Sequence, residues 1–292
     1  MKKRIKNQIS GYGFSFPATL LLIVFVIAPI IMTIYYAFTE YNGFQPPQWI
    51  GLKNFTELFQ DKAIVASLRN TLVFVVVSVP LQVVLSLAVA SLIAANYRDR
   101  FGEFIRGTLF IPVLCSATLV GTIFSYLFAA DSGSFFNMFL GAFGIPQINW
   151  LGSTKTALGV IIFVTVWKNI GYYMVIFYAG IMDVPNELYE ASSIDGASKM
   201  QQFFRITIPS LRPVLFTVIS VCTIWSFQVF DLAYTMTMGG PGYATTSLVY
   251  ELYQNAFKNF NFGYASAIAV VLFVLILIIN LIQGIFMKDG ED

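Results

Sequence analysis

The sequence predicts an all-α integral membrane protein with six transmembrane helices. Three observations carry this. Hydrophobic residues form 57% of the 292-residue chain and charged residues only 11%, with a mean hydropathy of +0.74. A soluble fold has no way to cover that much apolar surface, so the solvent must be lipid. Six apolar runs reach the roughly 20 residues that a helix needs to cross a bilayer. Lys and Arg are also spread unevenly over the segments between those runs. The same composition excludes other classes. There is no histidine, the commonest general base and metal ligand. Cys115 and Cys222 stand alone in apolar runs, so neither a disulfide framework nor a zinc site fits. A net charge of +2 carries no nucleic-acid signal.

The expected spans cover residues 16–38, 70–95, 107–129, 157–181, 213–234 and 264–287. The first follows a basic start like that of a signal peptide. It is long for a signal segment and no small-x-small site follows it, so it is read as an uncleaved anchor. Pro29, Pro80 and Pro112 fall inside or at the ends of spans, where neighbouring groups can re-satisfy the backbone. No internal repeat is visible, so an inverted-repeat transporter gains no support.

Orientation follows from the cations. Lys2, Lys3, Arg4, Lys6, Arg98, Arg100, Arg106, Lys199, Arg205, Arg212 and Lys288 fall on one side, which makes eleven. Lys53, Lys62, Arg69, Lys155 and Lys258 fall on the other, which makes five. Both termini are therefore expected in the cytoplasm. Lys168 alone lies within a span. It sits about 16 Å from the span's start at 1.5 Å per residue, too deep to snorkel, and so should face a polar interior. Asp231 is one candidate partner, but it lies only about 5 Å from the outer end of its own span, and Gln228 is closer in depth.

Residues 39–69 form an outer segment with turn chemistry at Asn42-Gly43 and Pro46-Pro47. Leu52, Phe55, Leu58 and Phe59 then recur at helical spacing, which predicts a short interfacial helix. Residues 130–156 are rich in Gly, Ser and Phe. Gly239-Gly240-Pro241-Gly242 is a strong turn signal, and Leu248–Tyr253 reads as another surface helix.

The longest inner loop, 183–213, carries the sharpest signal. Pro185 suits a helix's first turn, and Glu187 and Glu190 sit where the helix dipole favours acids. Gly196 suits a left-handed cap. Ser198 and Gln201 match a capping box opening a second helix, which Pro209 should stop. Two short helices with a sharp turn result, each too short to persist alone in water. They must pack on their own bundle or on a partner.

Glu190-Ala191-Ser192, Asp195-Gly196-Ala197, then Ile206, Ile208 and Pro209 resemble the EAA loop of binding-protein-dependent ABC importer permeases. The family pattern is Glu-Ala-Ala, a glycine six residues after the glutamate, then Ile-x-Leu-Pro. Ser192 and Ile208 are the two departures. Asn54-Phe55, Asn70-Thr71, Trp167 with Gly171-Tyr172, Asp183-Val184-Pro185 and Pro209-Ser210-Leu211-Arg212-Pro213 look like its carbohydrate-uptake branch. The chain is similar to the first permease of maltose and glycerol-phosphate transporters, most specifically over 66–285. Residues 1–65 would hold the N-terminal tail, first span and outer loop, and 286–292 a cytoplasmic tail.

The resemblance implies the type I ABC importer transmembrane fold in a bacterial or archaeal plasma membrane. It implies a second homologous permease, two ATP-binding subunits that hold ATP and Mg, and an extracytoplasmic binding protein delivering a saccharide. The chain itself would need no cofactor, since it lacks a GxxxxGK[ST] loop and leaves hydrolysis to its partners. Glu187, Glu190, Ala191, Asp195, Gly196 and Ala197 would form the coupling helix seated on one ATPase. Alignment by motif spacing puts Thr165, Lys168, Asn169, Cys222, Ser226 and Val229 on solute-contacting positions, with Tyr172, Trp225, Gln228 and Asp231 at neighbouring levels. The competing readings are an ion-gradient-driven secondary transporter, a membrane-embedded enzyme, for which only Lys168 and Asp231 are available, and a scaffold subunit without a solute path.

Overall fold

The computed structural model describes residues 15–288. The N-terminal cations counted for orientation and residues 289–292 lie outside them. Four helices are long and apolar enough to cross a membrane, and two bent helix pairs bring the number to six when each pair is one span.

In chain order the elements are α1 (Ser15–Ala37), β1 (Thr39–Glu40), β2 (Gln48–Trp49), α2 (Lys53–Leu58), α3 (Lys62–Asn96), α4 (Arg100–Leu114) and α5 (Ala117–Leu127). There follow α6 (Phe135–Gly141), α7 (Ala157–Met182), α8 (Asn186–Ile194), α9 (Lys199–Ser210), α10 (Arg212–Phe227), α11 (Asp231–Thr237), α12 (Leu248–Tyr253) and α13 (Phe262–Lys288). By contact the chain divides into two compact units. One holds the described residues up to Asp61 together with Glu251–Phe273. The other holds Lys62–Tyr250 and the residues from Val274 onward.

The expected spans hold, with corrections at their ends. Helix α3 begins eight residues before the expected span. Its 35 residues reach about 52 Å at 1.5 Å each, well beyond a ~30 Å hydrocarbon core. Lys62 and Arg69 therefore lie on a helix, not in a loop. The third span begins at Arg100 and is broken, with α4 and α5 meeting at 95°. Pro112 removes one backbone donor near the end of α4, and Cys115 and Ser116 adopt extended backbone. The fifth span is also interrupted: α10 ends at Phe227, and Phe230 has non-helical backbone before α11 begins at Asp231.

Pro209 does not stop α9, as the sequence suggested; the break comes at Leu211, where α10 leaves at 71°. A wide π turn over Phe203–Thr207 precedes Pro209, with the Ile208 N–H bonded to the Phe203 carbonyl. The same device, Ile23–Ile27, precedes Pro29 in α1. Proline offers no N–H to the preceding turn and crowds its carbonyl, and the wider turn gives that carbonyl room.

The larger unit is built on α3 and α7, which pack along their lengths. Phe74 of α3, Val120 and Phe124 of α5, Ile161 and Val164 of α7 and Leu232 of α11 share one buried cluster. Close approach is made by glycine: a Cβ on Gly171 would overlap the Leu109 carbonyl of α4. In lipid, where apolar surface gives little drive between helices, such small-residue contacts bring backbones together. The segment 130–156 is less of a loop than its composition suggested. It holds α6 and is pinned by buried Asn137, whose Oδ1 accepts from Ile148 N and Trp150 Nε1 while its Nδ2 donates to the carbonyls of Ala129, Asp131 and Ile148.

In the smaller unit the Asn42-Gly43 turn joins an antiparallel pair, Thr39 opposite Trp49, that the sequence did not predict. Asn42 Oδ1 accepts from the N–H groups of Phe44 and Gln45, and Gly43 takes φ +82°. The expected interfacial helix forms as α2. Asn54 on it donates to the carbonyls of Ala37 and Thr39, both at 2.9 Å. Glu251 is buried, and burial followed by the nearby Asp61 pushes its carboxyl up from 4.5 to about 7. Asp61 itself accepts from the Tyr264 hydroxyl.

A raised carboxyl binds its proton in the folded state while the unfolded state has released it. Stability is therefore fullest below pH 4.5 and falls as pH rises to about 7, by at most ~3 kcal/mol. With no histidine in the chain, little else titrates in this window. Melting temperature followed from pH 5 to 7.5 should decline in the native chain and flatten in Glu251→Gln.

Candidate functional site

A cleft of about 180 Å³ opens where both helix breaks meet α7. Ala117 from the first turn of α5 lines it, as do Gln228, Val229 and Phe230 from the gap after α10 and Asp231 and Leu232 from α11. Irregular backbone is tolerated at membrane depth where it lines a cavity, and the two gaps fit that rule. Thr165, Lys168 and Asn169 face the cleft from α7, and Trp225 and Ser226 from α10. Thr165 and Asn169 are four residues apart, and Lys168 is three from Thr165, so helical periodicity puts all three on one side.

Lys168 Nζ donates to the Val113 carbonyl at 3.3 Å. That carbonyl belongs to the last turn of α4, where carbonyls lack helical partners and the dipole is negative. The cation therefore caps a broken helix while lining the cleft. Asp231 shares the cleft but forms no ion pair with Lys168 within 4 Å. It stands in the first turn of α11, where the dipole favours an acid.

A chain of polar groups fixes the cleft's wall. Asn169 Nδ2 donates to Gln82 Oε1 at 3.3 Å, and Gln82 Nε2 donates to the Ser78 carbonyl. Ser78 Oγ donates to Ser226 Oγ, and Ser86 Oγ donates to the Ile170 carbonyl. Gln82 is only 1% exposed. The chain ties α3, α7 and α10 by groups that have no better partner in lipid.

Eight of the ten expected pathway residues line this cleft: Thr165, Lys168, Asn169, Trp225, Ser226, Gln228, Val229 and Asp231. Two do not. Tyr172 packs against Trp225, with ring centroids 5.1 Å apart, and Cys222 is fully buried. Both are one helical turn from lining residues. Sequence reasoning missed Gln82, although a lone amide in an apolar run is a usable signal. Among the described residues no group of three or more acids or cysteines could hold a metal.

The second site is the loop 183–212. Pro185 is the cap residue before α8, one position earlier than expected. Glu187 sits in the first turn and Glu190 one turn later, both exposed. Ala191 and Asp195 are also exposed, and Ala197 is half-buried. Gly196 takes φ +78°, a backbone that residues with a Cβ adopt only under strain. The Ser198–Gln201 capping box forms in both directions. No residue of α8 is buried, and Ile194 at its end is 88% exposed.

Gln202, unremarked in the sequence, holds the loop together. It is 4% exposed, and its Nε2 lies within 3.2 Å of the Tyr189 carbonyl, Ser192 Oγ and Ser193 Oγ. Tyr189 also bonds Thr207 through its hydroxyl at 2.9 Å. The loop therefore packs on itself through α9 while leaving the outer face of α8 free.

The model of binding-protein-dependent transport system inner membrane components matches residues 62–289. The chain belongs to that family. The permease is 36% identical over 290 residues to the probable ABC transporter permease YurN of Bacillus subtilis, covering 98% of this chain and 99% of the relative. It is 32% identical over 292 residues to the trehalose/maltose transport system permease MalF of Thermococcus litoralis, covering 99% and 98%. Among solved structures it resembles a bacterial ABC transporter that imports the acidic polysaccharide alginate, with a TM-score of 0.87, 22% identity and 99% coverage of both chains. The fold is that of type I ABC importer transmembrane subunits.

Replacing Gln202 by Leu removes the donor that holds α8 to α9, leaving three oxygens short of a partner. Amide exchange over 186–194 should quicken by about tenfold, on the scale of one lost buried interaction of ~1.4 kcal/mol. Unchanged exchange would mean that α8 is held by other contacts.

Proposed function

We propose that this ABC transport permease carries a sugar or oligosaccharide into the cytoplasm by alternating access, driven by ATP hydrolysis in partner subunits. The observation that supports a saccharide is the lining of the central cleft. It combines hydroxyl, amide and charged groups with the Trp225 ring, the chemistry that sugar hydroxyls and apolar sugar surfaces need. Relatives named for trehalose/maltose, starch degradation products and arabino-oligosaccharides agree with this reading. A second homologous permease would complete the path, and an extracytoplasmic binding protein would deliver the solute. Both termini would lie in the cytoplasm of a bacterial or archaeal cell, the side that the eleven-to-five cation count favours. Nucleotide and Mg would be held by two ATPase subunits and not by this chain.

In this mechanism α8 is the coupling helix, and its exposed face, with Glu187, Glu190 and Ile194, seats in a cleft of one ATPase. Closure of the ATPase dimer moves α8. Gln202 and the Tyr189–Thr207 contact pass that movement to α9 and hence to α10, which lines the solute cleft. The transition is rigid-body rocking of packed helices.

Gly196→Val should cut ATP-driven uptake in the complete reconstituted system by tenfold or more while the chain still inserts. Open space surrounds Gly196, so the substitution strains only the backbone of the turn. Normal uptake would remove α8 from the coupling role. Cysteine placed by Lys168→Cys should react with a water-soluble thiol reagent in at least one transport state. Protection in every state would close the central path.

A further inference from the structure

A cleft in the smaller unit shares no lining residue with the central one. It measures about 350 Å³ and is formed by the 39–57 segment and the turn at 259–261. Its lining is mostly amide and acid: Gln45, Gln48 and Asn259 with Glu40 and Glu57. Tyr41 and Phe260 supply aromatic rings. Each amide both donates and accepts, as a sugar hydroxyl does, and no large aliphatic residue other than Ile50 contributes to it.

The frame of this cleft is unusually fixed for a loop region. Gly263 N donates to the Tyr41 carbonyl at 3.0 Å, and a Cβ on Gly263 would overlap the Thr39 carbonyl. Tyr41 stacks on Tyr36 with ring centroids 4.5 Å apart. Phe260 takes φ +53°, a backbone that a bulky residue adopts only when its surroundings impose it. Its ring, half exposed, lies 5.8 Å from the more exposed ring of Phe44. Strain held at an exposed aromatic residue that lines a polar cleft points to use of that ring.

Charge narrows the ligand. Glu40 and Glu57 face a single cation, Lys53, which already lies 3.9 Å from Glu57. The cleft carries a net negative charge and repels an acidic saccharide.

We propose that this cleft is a second saccharide subsite, selective for neutral oligosaccharides, on the loops that the proposed orientation places outside. It rests on the saccharide reading above and narrows it to neutral sugars. A chain engaged here while the binding protein releases it would be held near the membrane.

The test is protection from labelling in the reconstituted importer complex without binding protein, in a Cys115→Ser background. Maltotriose and arabinotriose are the neutral probes and trigalacturonate the acidic one. At least one neutral probe should slow maleimide labelling of Gln45→Cys at least fivefold, and trigalacturonate should slow it less. Labelling of Thr56→Cys, exposed and outside the cleft, should be unaffected. Adding Gln48→Ala and Asn259→Ala, both exposed positions, should remove the protection. No protection by either neutral probe, or equal protection by the acidic one, overturns the proposal. Protection that persists in the double variant overturns it too. Lost docking of the binding protein in the double variant, where a neutral probe protects the Gln45→Cys parent, leaves the subsite standing and adds a protein contact. The same docking loss, where neither neutral probe protects the Gln45→Cys parent, makes the cleft a protein surface and overturns it. ATP-driven uptake of the same neutral sugars by the complete system tests the saccharide reading separately.

Discussion

Helix α4 and helix α7 touch backbone to side-chainless backbone at Gly171, which lies directly against the Leu109 carbonyl. One turn away on α7, that proximity lets Lys168 reach the Val113 carbonyl. The two contacts are one arrangement. Without the glycine the helices would stand further apart, and the lysine would face a cavity with no partner. With it, the cation is satisfied at low-dielectric depth by the negative end of a helix that stops short of crossing the membrane. The break after α4 is thereby stable, and α5 is free to leave at 95° and carry Ala117 to the cleft.

The rest of the cleft follows from satisfying polar groups in an apolar solvent. Gln82 is bonded on both sides, to Asn169 and to the Ser78 carbonyl, and Ser78 continues the chain to Ser226. These bonds link three helices, whose spacing they would hold under the proposed alternating access. A network of weak, reorganisable hydrogen bonds suits such a place better than close-packed aliphatic contacts, because partners can be exchanged without leaving a group bare.

Most of the architecture was legible because lipid imposes a coarse rule: about 20 apolar residues make one crossing. That rule is blind to breaks. The gap at Cys115–Ser116 lies inside an unbroken apolar run, and Pro112 alone does not distinguish a kink from an end. The gap at Gln228–Phe230 was hidden likewise, although polar Gln228 lies in it and Asp231 follows it. The loop 183–213 was readable in detail because caps are local: Ser198 with Gln201 and Gly196 each act within a few residues. Pro209 was misread for the opposite reason, since a five-residue π turn just upstream leaves no mark in composition. Gln202, Asn54 and Asn137 escaped because their partners are set by the fold and not by spacing.

The pairing of Gln202 with Ser192 has a consequence for how such loops can be exchanged. Ser192 stands where the family pattern has alanine, and its hydroxyl accepts from a buried amide ten residues on. The departure from the pattern is thus half of a matched pair. A loop grafted from a relative that keeps the alanine would bring a side chain unable to accept that bond, leaving the host's amide with one acceptor fewer in a nearly dry site. Residues 192 and 202 would have to be transferred together, so the inheritable part of this loop is the α8–α9 couple and not the short consensus segment alone.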